Sequence, residues 1–297
     1  MLLWFDRGSL NMRVRYYVGA LVLAVVTSPA AAQDAQDLLA KNLEARGGAA
    51  ALSALTNVSF EGRTLFPGDF ELTYKETRAR DGGAIRARVD MGLQGLNLVQ
   101  SYDGSGGWRI NPFQGRKDAE RMSGDEARSV ADSALLDGPL LASRTDGSKV
   151  SYIGREDFDG TLAYKLKVAQ KDGDEFVYWL DPDTFLEIKI DETRRIRGAE
   201  ATTEIELGDY EKVAGVYFPM SVESWAEGRP DERQRTVIAS GSANGPVNAS
   251  FFAEPGTAAA TRPGGTPPDA SEKTLKKPGD DAPADETTPP SSPSKGN

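Results

Sequence analysis

The chain reads as a mainly β domain, an antiparallel sheet with one wet face and few helices, built as a sandwich or a barrel. Three observations predict this. Apolar and polar residues alternate with period two through most of the body. Turn chemistry recurs at short spacing, giving about ten or eleven strands. Only two stretches carry a helical apolar stripe.

The first of these opens the body. Asp34 is placed to cap a helix carrying Ala35, Leu38, Leu39, Leu43 and Ala45, and Gly47-Gly48 stops it. Leu52 and Leu55 extend the apolar edge through a short helical turn. Strands follow. Val58, Phe60, Thr64 and Phe66 alternate with Ser59, Glu61 and Arg63, then Phe70, Leu72 and Tyr74 with Glu71, Thr73 and Lys75. Ile85, Ala87, Val89 and Met91 repeat the pattern, and Leu96 and Leu98 lead into an aromatic hairpin. There Tyr102 ends one strand, Asp103-Gly104 reverses the chain, and Trp108 and Ile110 lie on the return before Asn111-Pro112-Phe113.

The second helix interrupts the strands. Ser123-Gly124-Asp125-Glu126 matches a capping box, and Ala127, Val130, Ala131, Ala134 and Leu135 form a light stripe that Gly138-Pro139 ends. Pattern alone leaves open whether this helix is a lid or part of the core. Strands resume with Val150, Tyr152 and Ile153, then Leu162, Tyr164, Leu166 and Val168. The run Phe176 to Leu180 is apolar on both faces, which predicts a central strand. Leu186, Ile188 and Ile190, then Ile205 and Leu207, then Val216 to Val222, and finally Val237 and Ala239 complete the series.

The two ends have other roles. Met12 to Arg15 form a basic n-region, Tyr16 to Val26 an apolar core too short to span a bilayer, and Ser28 to Ala32 a small-residue cleavage site. Residues 1–32 are therefore expected to be a signal peptide, with Met12 as the true start. Residues 33–254 form the folded domain. From Pro255 to Asn297 the chain holds nine of its 17 prolines and Leu275 as its only large aliphatic residue. Such a segment cannot bury enough apolar area to offset its ordering entropy, so a disordered tail is expected.

Composition excludes several functions. The chain has 297 residues without cysteine or histidine, which removes thiolate chemistry and the commonest general base and metal ligand. A net charge of −10 argues against a nucleic-acid partner. Carboxylates gather at Glu156-Asp157-Asp159, Asp172-Asp174-Glu175 and Asp181-Asp183, but they lack a calcium-loop pattern and read as turn formers. A hydrolase using paired carboxylates is the enzyme alternative; no phosphate loop or nucleophile elbow supports one. No metal or cofactor is expected.

The order of several motifs resembles the LolA/LolB-like family of outer-membrane lipoprotein-sorting proteins, above all its LolA-like periplasmic carriers. Tyr102-Asp103-Gly104 is followed by Trp108 and Asn111-Pro112-Phe113, and then by a helix. Leu180-Asp181-Pro182-Asp183-Thr184 precedes a strand, and Val247-Asn248-Ala249 with Phe251-Phe252 and Pro255 is similar to the family's closing segment. The resemblance covers nearly the whole domain. It implies an incomplete, strongly curved antiparallel barrel whose concave side is plugged by helices and receives acyl chains.

On that resemblance, the expected lipid-binding lining comprises Leu72 and Tyr74, Val89 and Met91, Leu98, and the hairpin residues Trp108, Ile110 and Phe113, with Val130 from the helix and Tyr164 and Leu166 beyond it. LolA carriers hold the lid with an arginine followed by proline. This chain has no such pair, and Arg78 and Arg80 are the candidate latch. The implied protein is a periplasmic, monomeric carrier of acylated lipoproteins or lipids, exchanging them between an inner-membrane donor and an outer-membrane acceptor. The alternative is an RseB-like sensor or protein-interaction module on the same fold.

Overall fold

Alternation along each stretch becomes one continuous antiparallel sheet. The computed structural model describes residues 29–256, apart from residue 69. The apolar core of the expected signal peptide and nearly all of the expected tail lie outside the described residues.

Two helices come first, α1 (Pro29–Ala45) and α2 (Gly48–Ala54). Strands β1 (Asn57–Phe66), β2 (Phe70–Asp81), β3 (Ala84–Leu93), β4 (Leu96–Tyr102), β5 (Gly107–Asn111) and β6 (Arg116–Arg121) then meander outward. Helices α3 (Gly124–Ser133) and α4 (Gly138–Ala142) follow. A second meander comprises β7 (Lys149–Phe158), β8 (Thr161–Ala169), β9 (Glu175–Leu180), β10 (Glu187–Ile196), β11 (Ala199–Val213), β12 (Val216–Ala226) and β13 (Gln234–Ala243). Pairing of β1 with β13 joins the two into a sheet of order β6-β5-β4-β3-β2-β1-β13-β12-β11-β10-β9-β8-β7. The sheet is curved and does not close, because its outermost strands β6 and β7 do not pair. The incomplete antiparallel barrel is therefore the fold.

This topology explains the helices. The chain leaves one edge of the sheet at β6 and must re-enter at the other edge, β7. The connection carrying α3 and α4 makes that crossing over the concave face. Registered partners share a face, so the side of the sheet that each strand turns toward the helices follows from the ladders. Phe60, Glu76 and Val89 lie in one inward row, and Thr236, Thr64 and Leu72 in another.

Two clusters of buried side chains fill the concave side. At one, Leu52 of α2 and Leu55 just beyond it meet Val58, Phe60, Leu136, Val216 and Phe218. At the other, Ala35, Leu38 and Leu39 of α1 meet Leu166, Val168, Phe176, Tyr178 and Leu180, with Leu140 of α4. Each large apolar side chain so buried contributes about 1.5–3 kcal/mol. Gly62 allows β1 to bulge beside β13: a Cβ there would meet the Val237 carbonyl oxygen at 2.1 Å.

Several expectations change. Among the described residues there are thirteen strands, and β6, Arg116-Lys117-Asp118-Ala119-Glu120-Arg121, is one that no apolar alternation announces. Helix α1 is already formed at Pro29, the first described residue, so Asp34 lies inside it rather than at its cap. Gly138-Pro139 begins α4 instead of simply ending α3. The two-sided apolar run of β9 is third from an edge, not central. Its inward residues pack under α1, while outward Trp179 is covered by Lys165 and Lys189, whose ammonium groups lie 4.4 and 4.9 Å from its ring centre.

Candidate functional site

Between the sheet and the α3–α4 crossing lies a cavity of about 340 Å³. Its middle and its flanks differ chemically. Toward the middle of the sheet the lining is apolar: Phe60, Ile205, Leu207, Phe218, Val222 and Ile238. Ile205, Leu207, Val222 and Ile238 are only half-buried, so the protein's own helices leave this floor uncovered. The flanks of the lining are polar and charged, with Arg78 5.9 Å from the Phe60 ring centre and Arg46 5.5 Å from that of Phe218.

The charges are paired. The Arg78 guanidinium donates from Nε and Nη2 to both carboxylate oxygens of Glu76, at 2.8 and 2.9 Å, and Tyr74 donates to the same carboxylate at 2.9 Å. Arg46, at the end of α1, lies 3.3 Å from Glu187 with both side chains almost wholly buried, and also donates to the Tyr217 carbonyl. Arg194 donates to Asp132 of α3, to buried Asp174 and to Glu192. Burial raises the Asp132 carboxyl above its ordinary value, outweighing the attraction of Arg194. Tyr74, Tyr178 and Tyr210 are each pushed well above the ordinary phenol range, by burial first and neighbouring carboxylates second. All three are therefore neutral donors at neutral pH. Those of Tyr74 and Tyr210 are used, the latter on the Glu187 carbonyl at 2.8 Å. The Tyr178 hydroxyl is buried without a hydrogen-bond partner.

The lid is built on a completed capping box. Ser123 accepts from the Glu126 N–H, and Glu126 accepts from the Ser123 N–H at 2.9 Å. That bond, more than any other contribution, lowers Glu126 to about 2. Its other oxygen accepts from Arg109 of β5 and from Arg197, each at 3.0 Å. The alanine stripe packs where the sheet has no side chain: a Cβ on Gly107 would lie 3.1 Å from that of Ala127. Ser129, Asp132 and Ser133, on another side of α3, line the cavity.

Of the expected latch, Arg80 reaches the crossing. It donates to the carbonyls of Leu52 in α2 and Leu55 just beyond it, at 2.8 and 3.1 Å, and to Asp137 between α3 and α4 at 3.3 Å. Arg78 instead spends its guanidinium on Glu76 and lines the cavity.

The expected lining divides. Tyr74 lines the cavity. Leu72, Val89, Met91 and Leu98 share its face of the sheet by register, as an apolar shelf beside the cavity. Val130 belongs to the stripe of α3 rather than to its cavity side. Leu166 is wholly buried under α1, and Tyr164 stacks on Phe185 at 6.0 Å. Trp108 and Ile110 are on the opposite, convex face, in register with Ser101 and Val99. The Trp108 indole donates to the Phe252 carbonyl at 2.7 Å, and Ser101 donates to that carbonyl at 2.9 Å. Arg88 lies 4.7 Å from the Phe251 ring centre. The closing Phe251-Phe252 segment thus covers Trp108 on the convex face, with the sheet between it and the cavity, while Phe113 sits on an exposed turn. Arg46, Glu187 and Arg194 went unread in the sequence; Arg46 continues the Leu38–Leu39–Asn42 stripe of α1 at helical spacing, a signal hidden by its charge.

The turn carboxylates are likewise assigned. Asp181 accepts from the backbone N–H groups of Asp183 and Thr184, at 3.0 and 2.7 Å, holding the β9–β10 turn. Asp174 is a buried partner of Arg194. Among the described residues no group of acidic side chains has metal-binding geometry.

The fold recurs in solved structures. An outer-membrane lipoprotein-sorting protein domain from Vibrio parahaemolyticus superposes with a TM-score of 0.51 at 10% identity, over 74% of this chain and 97% of that one. A DUF1329 family protein from Desulfovibrio piger gives 0.53 at 12% identity, with the same coverages. A LolA superfamily protein from Nitrosomonas europaea gives 0.50 at 15% identity, again over 74% and 97%. The likeness is one of fold. No family model and no curated protein matches the sequence. Among the described residues no helix is long and apolar enough to cross a membrane.

Proposed function

We propose that this protein is a periplasmic carrier that binds an acyl chain of a lipoprotein or related lipid in the concave cavity, without catalysing a reaction, for delivery toward the outer membrane. The observation that carries this reading is the half-buried apolar floor of Ile205, Leu207, Val222 and Ile238 beneath helix α3, which meets the sheet through small alanines and ion pairs rather than large apolar side chains. Each methylene laid on that floor is worth about 0.8 kcal/mol, so a chain binds usefully. The partly exposed Arg109–Glu126 and Arg197–Glu126 pairs, worth about 0–1 kcal/mol each, let α3 lift and release it. Ligand pockets span about 300–1,000 Å³; at about 340 Å³ this one suits a single chain better than a multi-acyl anchor.

Export rests on the signal-like N-terminal pattern, and the sorting role on the likeness in fold to lipoprotein-sorting domains. The test is native mass spectrometry of protein recovered from its own envelope. Acyl-lipid adducts are expected on the intact protein, and a population of bare mass alone overturns the reading.

A further inference from the structure

The polar flank of the cavity along β9, β10 and α3 is a site in its own right. Tyr178 lies on the inward row of β9, is 2% exposed and is one of the lining residues, and its buried hydroxyl has no partner. A buried hydroxyl left unpaired is unfavourable by about 1–3 kcal/mol, so its position calls for a ligand atom. Across the cavity α3 presents Ser129, Asp132 and Ser133.

The charges select what that ligand atom belongs to. Each guanidinium in the lining, Arg46, Arg78 and Arg194, is already held by a carboxylate. Beside Tyr178 the carboxylates of Glu187, Glu192 and Asp132 outnumber the guanidinium of Arg194, while Glu76 and Arg78 pair with each other on β2, separated from β10 by four strands. An anionic head would enter a region with no uncommitted cation and a surplus of negative charge, and would lose its hydration without replacement. A hydroxyl head loses far less, and can donate to or accept from a phenol.

We infer that the cavity takes a single-chain lipid head first, with an uncharged, hydroxyl-bearing head such as a glycerol hydrogen-bonded to the Tyr178 hydroxyl and the chain running over Leu207, Val222 and Ile238. This rests on the acyl-binding reading above. It adds the chemistry of the head and its direction.

Displacement of a fluorescent acyl probe tests it with three lipids of matched chain length: monolaurin, laurate and dodecyltrimethylammonium. On the intact protein at neutral pH, monolaurin should displace the probe at a concentration at least about tenfold below laurate. Tyr178→Phe should weaken monolaurin by about fivefold, the equivalent of one ordinary hydrogen bond, and leave laurate unchanged. Thermal melting of Tyr178→Phe should show equal or higher stability, since an unpartnered buried hydroxyl is removed. Laurate or dodecyltrimethylammonium binding as tightly as monolaurin, an unchanged monolaurin affinity in Tyr178→Phe, or a stability loss in that variant each overturns the head assignment alone. If no lipid displaces the probe, or the probe itself does not bind, both this inference and the acyl-binding reading fall.

Discussion

Replacing Trp108 separates packing from ligand contact. The side chain is 2% exposed on the convex face, beneath the Phe251-Phe252 segment. Trp108→Ala removes its burial and leaves a void, at a loss of about 3–5 kcal/mol for a buried aromatic. For a domain of this size about 2–4 °C accompanies each kcal/mol, so the melting temperature should fall by roughly 6–20 °C. Trp108→Phe retains most of the apolar area and loses the 2.7 Å bond to the Phe252 carbonyl. Ser101 still donates to that carbonyl at 2.9 Å, so the acceptor is not orphaned and the loss should be about 0.5–1.5 kcal/mol. Urea melts monitored by circular dichroism read both values. Acyl-probe affinity of Trp108→Phe, measured below its unfolding transition, should match the parent protein. A Trp108→Phe protein of parental stability that has lost the probe would refute the placement of Trp108 outside the cavity.

Three further outcomes concern the lid. Arg80→Ala removes donors to the Leu52 and Leu55 carbonyls and to Asp137; it should destabilise the fold by about 1–3 kcal/mol and speed amide exchange across α3 and α4, with Arg80→Lys restoring only part of the protection. Gly107→Val places a side chain against Met122 and Ala127, an overpacking loss of about 1–3 kcal/mol, and should lift α3 so that bound probe leaves faster in stopped-flow. Glu126 is lowered from 4.5 to about 2, so its contribution is complete above pH 4.5 and lost as pH falls toward 2. Lid protection should therefore weaken through that window in the parent protein, and Ser123→Ala, which loses about 0.5–2 kcal/mol of cap, should bring the weakening to higher pH.

Much of this architecture is legible in the residues because burial on one face of a strand writes itself as alternation. The capping box of α3 and the Asp103-Gly104 reversal were equally local and equally readable. What local pattern cannot supply is which face of a strand becomes concave. Trp108 alternates correctly with its neighbours, yet the segment that covers it is 144 positions away in the sequence. Strand β6 has no apolar face to read, since an edge strand beside exposed turns needs none. The polar flank of the cavity was hidden for a related reason. Arg46, Glu187 and Arg194 look like surface charges one at a time, and only the sheet order brings them against α1 and α3.

The most direct test of an acyl chain on the concave floor is photocrosslinking with a fatty acyl probe carrying a diazirine at its chain end, followed by peptide mapping. Label should appear on peptides containing Leu207, Val222 and Ile238, and be suppressed by unlabelled lipid. Competable label on the Trp108 or Phe252 peptides, with none on β11 to β13, would contradict the account.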